Sequence, residues 1–303
     1  MQFPCNLKLA YVATLCALLN VAVARTTGQG LHIIARFRAP KCSSGSCDGG
    51  LWDEIDGYVK QAKQGKVPIM ININHEWKIA NNWSTDSKKY VSDMVKSYVK
   101  DGAIVTAYVS TDYGVESESD VKGNVEKWLT SDFGYDYPCP ITGIFFDEAP
   151  ADPRESLYKK YEGYTNYARS IMSDAFIFYN AGGTWSSSSP YQKITSAYCV
   201  REKPRDAFMN DWPSQAARWI KDNDMEGYTD SDSGTQMGQT GIIIYDATES
   251  YNSWEGVFKI GQDNNVKWVS TTTDYERLPD YHVHIIDYLC EHTYGDACKL
   301  TNE

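Results

Sequence analysis

The sequence predicts a single (β/α)8 barrel, an α/β fold of the TIM type, in which eight parallel strands alternate with helices. Short β-rich runs alternate with longer amphipathic runs through the whole chain, as repeated βα units require. The chain has 303 residues, close to the usual size of one such barrel, and no Pro/Gly-rich linker divides it. We therefore expect one barrel domain over residues 25–303.

Each strand is predicted from a short run rich in β-branched and aromatic residues. In chain order the strands are 32–37, 67–73, 103–109, 141–146, 175–179, 196–201, 241–245 and 266–270. Each helix is predicted where apolar residues recur every three to four positions. The helices are 52–63, 88–100, 121–129, 156–172, 213–221, 249–260 and 280–290. Two Gly/Ser-rich connections, 181–194 and 228–240, are expected to be mainly loop.

Residues 1–24 have the pattern of a secretory signal peptide, because Lys8 precedes an apolar run and small residues surround a cleavage site near Ala24. The apolar run falls short of the roughly 20 residues that a membrane span needs. We therefore expect a secreted, extracellular monomer without a membrane partner, at or near a cell wall or matrix.

Six cysteines follow the signal peptide, an even number that suits an oxidising compartment. Two close pairs are expected to form disulfide bonds, Cys42 with Cys47 and Cys290 with Cys298. Cys139 and Cys199 are either bridged or buried as free thiols. No CxxC or HxxxH spacing indicates a metal site. Asn82 begins an Asn-Trp-Ser sequon and is expected to carry a glycan.

The formal net charge of the chain is −11 at pH 7. Nucleic acids and anionic membranes require a basic face, so the charge argues against both as partners. A cationic substrate would suit this acidity. Acidity also keeps secreted proteins in solution, so the charge alone does not choose between these two interpretations.

An apolar strand in residues 141–146 ends in two adjacent carboxylates, Asp147 and Glu148. Acidic residues are depleted from strands and costly to bury, so an acidic site is expected at the lip of the sheet. Adjacent residues of a strand point to opposite faces, which calls for a partner on another strand, and Glu202 is the best placed. Hydrolysis of a glycosidic bond needs two carboxyl groups, so these three residues are the catalytic candidates. Capping of a following helix is the alternative role for any one of them.

Chemistry in such a barrel takes place at the C-terminal strand ends. The polar residues that follow the other strands are therefore predicted to contact substrate: Arg36, Asn74, His75, Tyr108, Thr111, Asn180, Tyr245 and Asp246. Aromatic residues in the same loops, including Tyr113 and Tyr191, either stack on sugar rings or pack in the interior. His282 and His284 are expected to cap or pack, and no cofactor is predicted because nucleotide-binding fingerprints are absent.

The segment Gly-Ile-Phe-Phe-Asp-Glu-Ala-Pro at 143–150, with segments 105–114 and 178–182, resembles the spherulin-4 family of secreted fungal and slime-mould proteins. The resemblance spans roughly residues 30–275. It implies a (β/α)8 glycoside hydrolase that is endo-acting on α-1,4-linked N-acetylgalactosamine in galactosaminogalactan, a cell-wall and biofilm polysaccharide. It also places the family's acidic residues at Asp147, Glu148 and Glu202. Segments 35–40 and 72–77 depart from the family pattern, which leaves the identity of the sugar open.

We therefore expect a secreted, retaining glycoside hydrolase that cleaves a galactosamine-type polysaccharide with paired carboxylates. The alternative is a non-catalytic carbohydrate-binding or structural cell-wall or spore-coat protein on the same barrel, because a fold by itself does not imply an activity.

Overall fold

The computed structural model describes residues 29–36, 39–43, 46–73, 80, 82–130, 141–151, 154–182, 190–210, 240–247, 251–263, 266–273, 281–294 and 298. The predicted signal peptide, the predicted helix at 213–221, and Cys139 lie outside the described residues. Most of the predicted loop at 228–240 lies outside them as well.

The described residues form ten strands, eight of which close a parallel barrel. The strands are β1 (Gly30–Ala35), β2 (Lys41–Ser43), β3 (Ser46–Asp48), β4 (Ile69–Ile73), β5 (Ile104–Ser110), β6 (Gly143–Asp147), β7 (Phe176–Asn180), β8 (Ala197–Pro204), β9 (Thr240–Tyr245) and β10 (Trp268–Thr271). The order around the barrel is β1-β10-β9-β8-β7-β6-β5-β4, and β4 pairs back to β1. β2 and β3 form a separate antiparallel hairpin. The predicted (β/α)8 barrel is confirmed.

The described helices surround the barrel. They are α1 (Leu51–Gln64), α2 (Thr85–Lys100), α3 (Glu118–Thr130), α4 (Glu155–Ile171), α5 (Tyr251–Asp263) and α6 (His282–Tyr294), with short 3-10 turns at Asp112–Gly114 and Pro190–Lys193. α2 begins three residues before its predicted start because Ser84 caps it. The Ser84 side chain accepts a hydrogen bond of 3.1 Å from the backbone N–H of Ser87, which satisfies a donor that the first turn leaves unpaired.

Side chains of alternate strand residues enter two separate cores, as the period of two requires. Outward residues such as Ile71 and Ile144 pack against the helices. Inward residues, including Phe145, Phe178 and Trp268, fill the barrel interior. The barrel is therefore closed below its rim by packed side chains, and only the inward positions at the strand ends are left to form a site.

Both predicted disulfide bonds are present. Cys42–Cys47 joins β2 to β3, and Cys290–Cys298 ties the end of α6 to the following segment. Cys199 is a buried free thiol inside the barrel. Among the described helices, none has the length and apolar character needed to cross a bilayer. Structural disulfides are typical of an oxidising compartment.

Gly143 allows β6 and β7 to approach closely. A methyl group at this position would lie 2.0 Å from the carbonyl oxygen of Phe176, which is backbone and cannot move aside. We expect Gly143→Ala to lower the free energy of unfolding by about 2 kcal/mol or more, as measured by urea denaturation. Gly57→Ala is the matched control, because this exposed glycine of α1 has open space around it. The control should raise the free energy of unfolding by about 0.5–1 kcal/mol. Equal stability of the two variants would contradict the close packing of β6 on β7.

Candidate active site

Asp147 faces the mouth of the barrel because of the alternation along β6. Phe145 belongs to the inner core, so the next inward position is that of Asp147, the last residue of the strand. One carboxylate oxygen, Oδ1, accepts a hydrogen bond of 2.8 Å from the side-chain amide of Asn180 on β7. The acid predicted from the sequence therefore lies at the strand end and inside the rim.

Asn180 joins two of the predicted carboxylates. It follows Phe178 at the next inward position of β7, and its side-chain nitrogen donates to Oδ1 of Asp147 and to Oε2 of Glu202, each at 2.8 Å. Its own side-chain oxygen accepts from the backbone N–H of Gly182 at 3.0 Å, which fixes the orientation of the amide. Both N–H bonds of the amide are thus directed at carboxylate oxygens.

This shared donor limits the separation of the two acids. Both oxygens lie 2.8 Å from one nitrogen, so they are no more than twice that distance apart. The N–H bonds of a planar amide diverge by about 120°, and straight hydrogen bonds then place the oxygens roughly 5 Å from each other. Asp147 and Glu202 are therefore close enough to act on a single bond of a bound molecule.

A β-bulge in β8 directs Glu202 into the mouth. Cys199 and Arg201 are two residues apart, yet their partners on β9 are consecutive residues. Cys199 faces the interior, so regular alternation would place Arg201 inside and Glu202 outside. The extra residue shifts the phase of the strand, as bulges do, and Glu202 reaches Asn180 as a result.

Glu148 turns away from Asp147 through an unusual backbone conformation. Its φ is 53°, in the left-handed region that non-glycine residues seldom occupy. Its side-chain Oε2 accepts a hydrogen bond of 2.6 Å from the hydroxyl of Ser110 at the end of β5. The two adjacent acids are therefore separated, with Asp147 directed toward β7 and Glu148 toward β5.

Thr111, predicted as a substrate contact, is buried and supports the turn that carries these acids. Its hydroxyl donates to the carbonyl oxygens of Asp147 and Glu148, each 2.9 Å away. Because the one hydroxyl proton of Thr111 is directed at these carbonyl oxygens, the hydroxyl of Tyr161 is the donor in its contact with Thr111. The contacts of Thr111 are thus with the backbone beneath the site.

The pKa of Asp147 is raised to about 6. Burial is the main cause, the negative charge of Glu202 adds to it, and hydrogen bonds from the backbone N–H of Glu148 and from Asn180 oppose it. Burial also raises the pKa of Tyr108 strongly, with further contributions from Asp147 and Glu148. An acid with a pKa near 6 can hold or release a proton close to neutral pH.

The remaining predicted substrate contacts divide into three groups. Tyr108 and Tyr245 are half-buried beside the carboxylates. The pKa of Tyr245 is raised mainly by burial and secondly by the negative charge of Glu202. Arg36 and Asp246 are exposed at the ends of β1 and β9. Asn74 and His75 lie outside the described residues. Asn82 is exposed before α2, and its glycosylation stays a prediction.

The structure also separates the aromatic residues that were predicted either to bind sugar or to pack. Tyr191 is fully buried against Tyr161 and Tyr179, so it belongs to the packing between the barrel and its helices. Tyr113 is 53% exposed beside the acids. Gly182, which orients Asn180, was not among the predicted site residues. An Asn-x-Gly segment directly after a strand is the signal that would have indicated it.

Two histidines near the barrel were predicted to pack or cap. His282 is buried, and its Nε2 lies 3.3 Å from the carbonyl oxygen of Thr271. Burial lowers its pKa to about 4, so the ring is neutral at pH 7. Among the described residues, no group of three or more His, Cys, Asp and Glu side chains is arranged to hold a metal ion.

The raised pKa of Asp147 has a consequence for stability. A carboxyl group that is harder to ionise in the folded state than in the unfolded chain lowers the free energy of unfolding as the pH rises from about 3.8 to about 6. Asp147→Asn removes this charge, so we expect the variant to be more stable than the wild type at pH 7, by up to about 3 kcal/mol. The difference should shrink as the pH falls toward 4. Urea denaturation of both proteins across this pH range measures the difference. A stability advantage of the variant that is smaller at pH 7 than at pH 4 would contradict the raised pKa of Asp147.

Comparison with known proteins gives a family and a fold. A sequence profile described as spherulation-specific family 4 matches residues 36–289. The crystal structure of Aspergillus clavatus Sph3 in complex with GalNAc superposes with a TM-score of 0.63 at 15% sequence identity, covering 88% of this chain and 99% of that one. No curated protein sequence shows significant similarity to the chain.

Two further solved structures match with lower TM-scores. A GH2 beta-galacturonidase from Eisenbergiella tayi, bound to galacturonate, has a TM-score of 0.49 at 10% identity, over 79% of this chain and 47% of that chain. The N-acetylneuraminate lyase of Proteus mirabilis has a TM-score of 0.42 at 12% identity, over 84% and 71%. The match at residues 36–289 covers well over half of the chain, and this protein therefore belongs to spherulation-specific family 4, as the motif at residues 143–150 had indicated.

Proposed function

We propose that this protein is a secreted glycoside hydrolase that cleaves a polysaccharide of galactosamine or N-acetylgalactosamine at the mouth of its barrel. The observation that carries the proposal is the amide of Asn180, which holds Asp147 and Glu202 through two hydrogen bonds of 2.8 Å. Carboxylates that merely cap helices or neutralise arginines have no need of a shared neutral donor between them.

The separation of these acids favours retention of configuration. Retaining glycosidases have carboxyl groups about 5–5.5 Å apart, whereas inverting enzymes need about 6.5–9.5 Å to accommodate a water molecule. The common donor limits the accepting oxygens to the shorter range. The reaction then proceeds in two displacements through a glycosyl-enzyme intermediate.

The environment of Asp147 supports a role as the general acid. Asp147, with a pKa of about 6, serves as the general acid and donates its proton to the glycosidic oxygen as the bond to the anomeric carbon breaks. The carboxylate of Glu202 attacks that carbon and forms the covalent ester. Water then attacks the ester, Asp147 takes the proton of that water, and Glu202 leaves as a carboxylate. Glu148, held by Ser110, supplies a nearby negative charge that favours the protonated form of Asp147.

Three observations support the substrate class. The chain belongs to spherulation-specific family 4, and Sph3, which has the same fold, was crystallised with GalNAc. The net charge of −11 suits a polymer that carries free ammonium groups, and it does not suit nucleic acid. The α-1,4 linkage and the endo-action follow from the resemblance of the sequence motifs to the spherulin-4 family.

The first test is hydrolysis of α-1,4-linked galactosamine polymers, fully and partly acetylated, with mass spectrometry of the released oligosaccharides. We expect products from the wild type, and a loss of at least about a thousandfold in rate for Asp147→Asn and for Glu202→Gln, since each removes a group that reacts. Glu291→Gln is the control, because this carboxylate is exposed on α6 and far along the chain from the site.

The same experiment discriminates against the non-catalytic alternative. A protein that only binds carbohydrate would release no products, and its binding would change little in Asp147→Asn. Hydrolysis that persists in both carboxylate variants would contradict the assigned roles.

The assignment of Asp147 as the acid also predicts a pH profile. Because Asp147 must carry its proton when the reaction begins, kcat/KM should fall about tenfold per pH unit above roughly pH 6, the value to which its pKa is raised. Initial rates between pH 4 and 9 measure this limb. A value of kcat/KM that keeps rising up to pH 8 would assign the acid role to another residue.

A further inference from the structure

Tyr113 stands out among the aromatic residues because its ring is not packed away. Its side chain is 53% exposed, while Trp, Tyr and Phe side chains elsewhere in the described residues are largely buried. A tyrosine ring combines a large apolar surface with a polar tip, which suits it to contact with a partner. Its place in the fold indicates which partner.

The ring of Tyr113 lies over the acidic mouth. The residue follows β5, and its backbone N–H donates to the carbonyl oxygen of Glu148 at 2.7 Å. A methyl group at Gly182, on the other side of the end of β6, would lie 3.6 Å from the hydroxyl oxygen of Tyr113 and 3.8 Å from Oε2 of Glu202. The hydroxyl therefore extends across the end of β6 to the side of the mouth where Asn180 and Glu202 lie.

The backbone that presents this ring is strained. Asp112, Tyr113 and Gly114 have φ values of 44°, 50° and 84°, so three consecutive residues occupy the left-handed region and two of them are not glycine. Such conformations cost free energy and persist only where the surroundings enforce them. A less strained loop would leave the ring elsewhere, which indicates that the position of the ring matters.

Contacts from α4 enforce this conformation. The ammonium group of Lys160 donates to the carbonyl oxygens of Gly114 and Glu116, at 2.7 and 2.8 Å. Gly114 also packs so tightly that a methyl group on it would lie 2.8 Å from Cδ2 of Leu157. Tyr113 is therefore held in place before any ligand arrives, which reduces the entropy that binding must overcome.

We propose that Tyr113 is a substrate-binding residue whose ring stacks on the apolar C–H face of one hexosamine ring, next to the bond that Asp147 and Glu202 cleave. The inference rests on the proposed function and specifies one of its binding contacts. Tyr113 acts through its ring, and its hydroxyl is not required for the chemistry. The neighbouring Val115, which is 77% exposed, lies on the same loop and takes no part in the contact.

Two substitutions of Tyr113 distinguish the contribution of the ring to binding from the contributions of the hydroxyl and of the strained backbone. Tyr113→Gly removes the ring and relieves the left-handed conformation, whereas Tyr113→Phe keeps the ring and removes only the hydroxyl. We expect Tyr113→Gly to fold with undiminished thermal stability and to bind α-1,4-linked galactosamine oligosaccharides about ten- to a hundredfold more weakly. Tyr113→Phe and the control Val115→Ala should bind within about twofold of the parent.

Binding is measured by isothermal titration calorimetry with the acetylated and the deacetylated oligosaccharide, using Asp147→Asn as the parent so that no hydrolysis occurs. With catalytically intact protein, the control Val115→Ala should keep kcat within about twofold. A loss of binding in Tyr113→Phe equal to that in Tyr113→Gly would overturn the stacking role in favour of the hydroxyl. Unchanged binding in Tyr113→Gly would overturn the proposal while leaving the hydrolase intact. No binding of either oligosaccharide by the parent would instead overturn the proposed substrate class, and with it the contact that rests on it.

Discussion

Each barrel strand is hydrogen-bonded to a parallel neighbour on both sides, and this closure is the constraint on which the site depends. Parallel pairing brings all eight carboxyl ends to one rim, and the closed ring leaves no strand edge at which the pairing can slip. The packed inner core fills the barrel below the rim. Asp147 and Asn180 occupy the inward positions that follow Phe145 and Phe178 of that core, so the core determines the height at which the acids lie.

Local departures from regular structure around the acids refine this arrangement. The bulge in β8 brings Glu202 inward, the left-handed turn at Glu148 separates the adjacent acids, and the left-handed pair Asp112–Tyr113 holds a ring over them. A left-handed conformation costs about 1–3 kcal/mol for each non-glycine residue that adopts it. They are maintained by Thr111 below the turn and by Lys160 beside the loop. Residues in unfavourable backbone conformations cluster at binding and catalytic sites, and Asp112, Tyr113 and Glu148 lie together at the mouth of this barrel.

The electrostatics of the mouth lower the stability of the fold at neutral pH and raise the pKa of Asp147. Burial and the charge of Glu202 both disfavour the ionised form of Asp147. The amide of Asn180 partly offsets this by donating to both acids, but it carries no charge with which to neutralise them. A lysine or arginine in its place would bind the carboxylates more strongly and lower their pKa values. The neutral donor therefore positions the pair while leaving Asp147 able to hold a proton near pH 6.

Local sequence was sufficient for the barrel, for both disulfide bonds and for Asp147 at a strand end, because the alternation of side chains and the proximity of cysteines are properties of short segments. Position 202 was also proposed as the partner acid, but regular alternation would have turned its side chain away from the mouth. Only the tertiary structure decided that orientation, since the bulge arises in the pairing of β8 with β9, a strand that comes much later in the chain. The roles of two further residues were also decided by the tertiary structure. The hydroxyl of Thr111, a polar residue at a strand end, is hydrogen-bonded to backbone carbonyl oxygens. The two N–H donors of Asn180 reach both carboxylates only because β6, β7 and β8 are neighbours in the barrel.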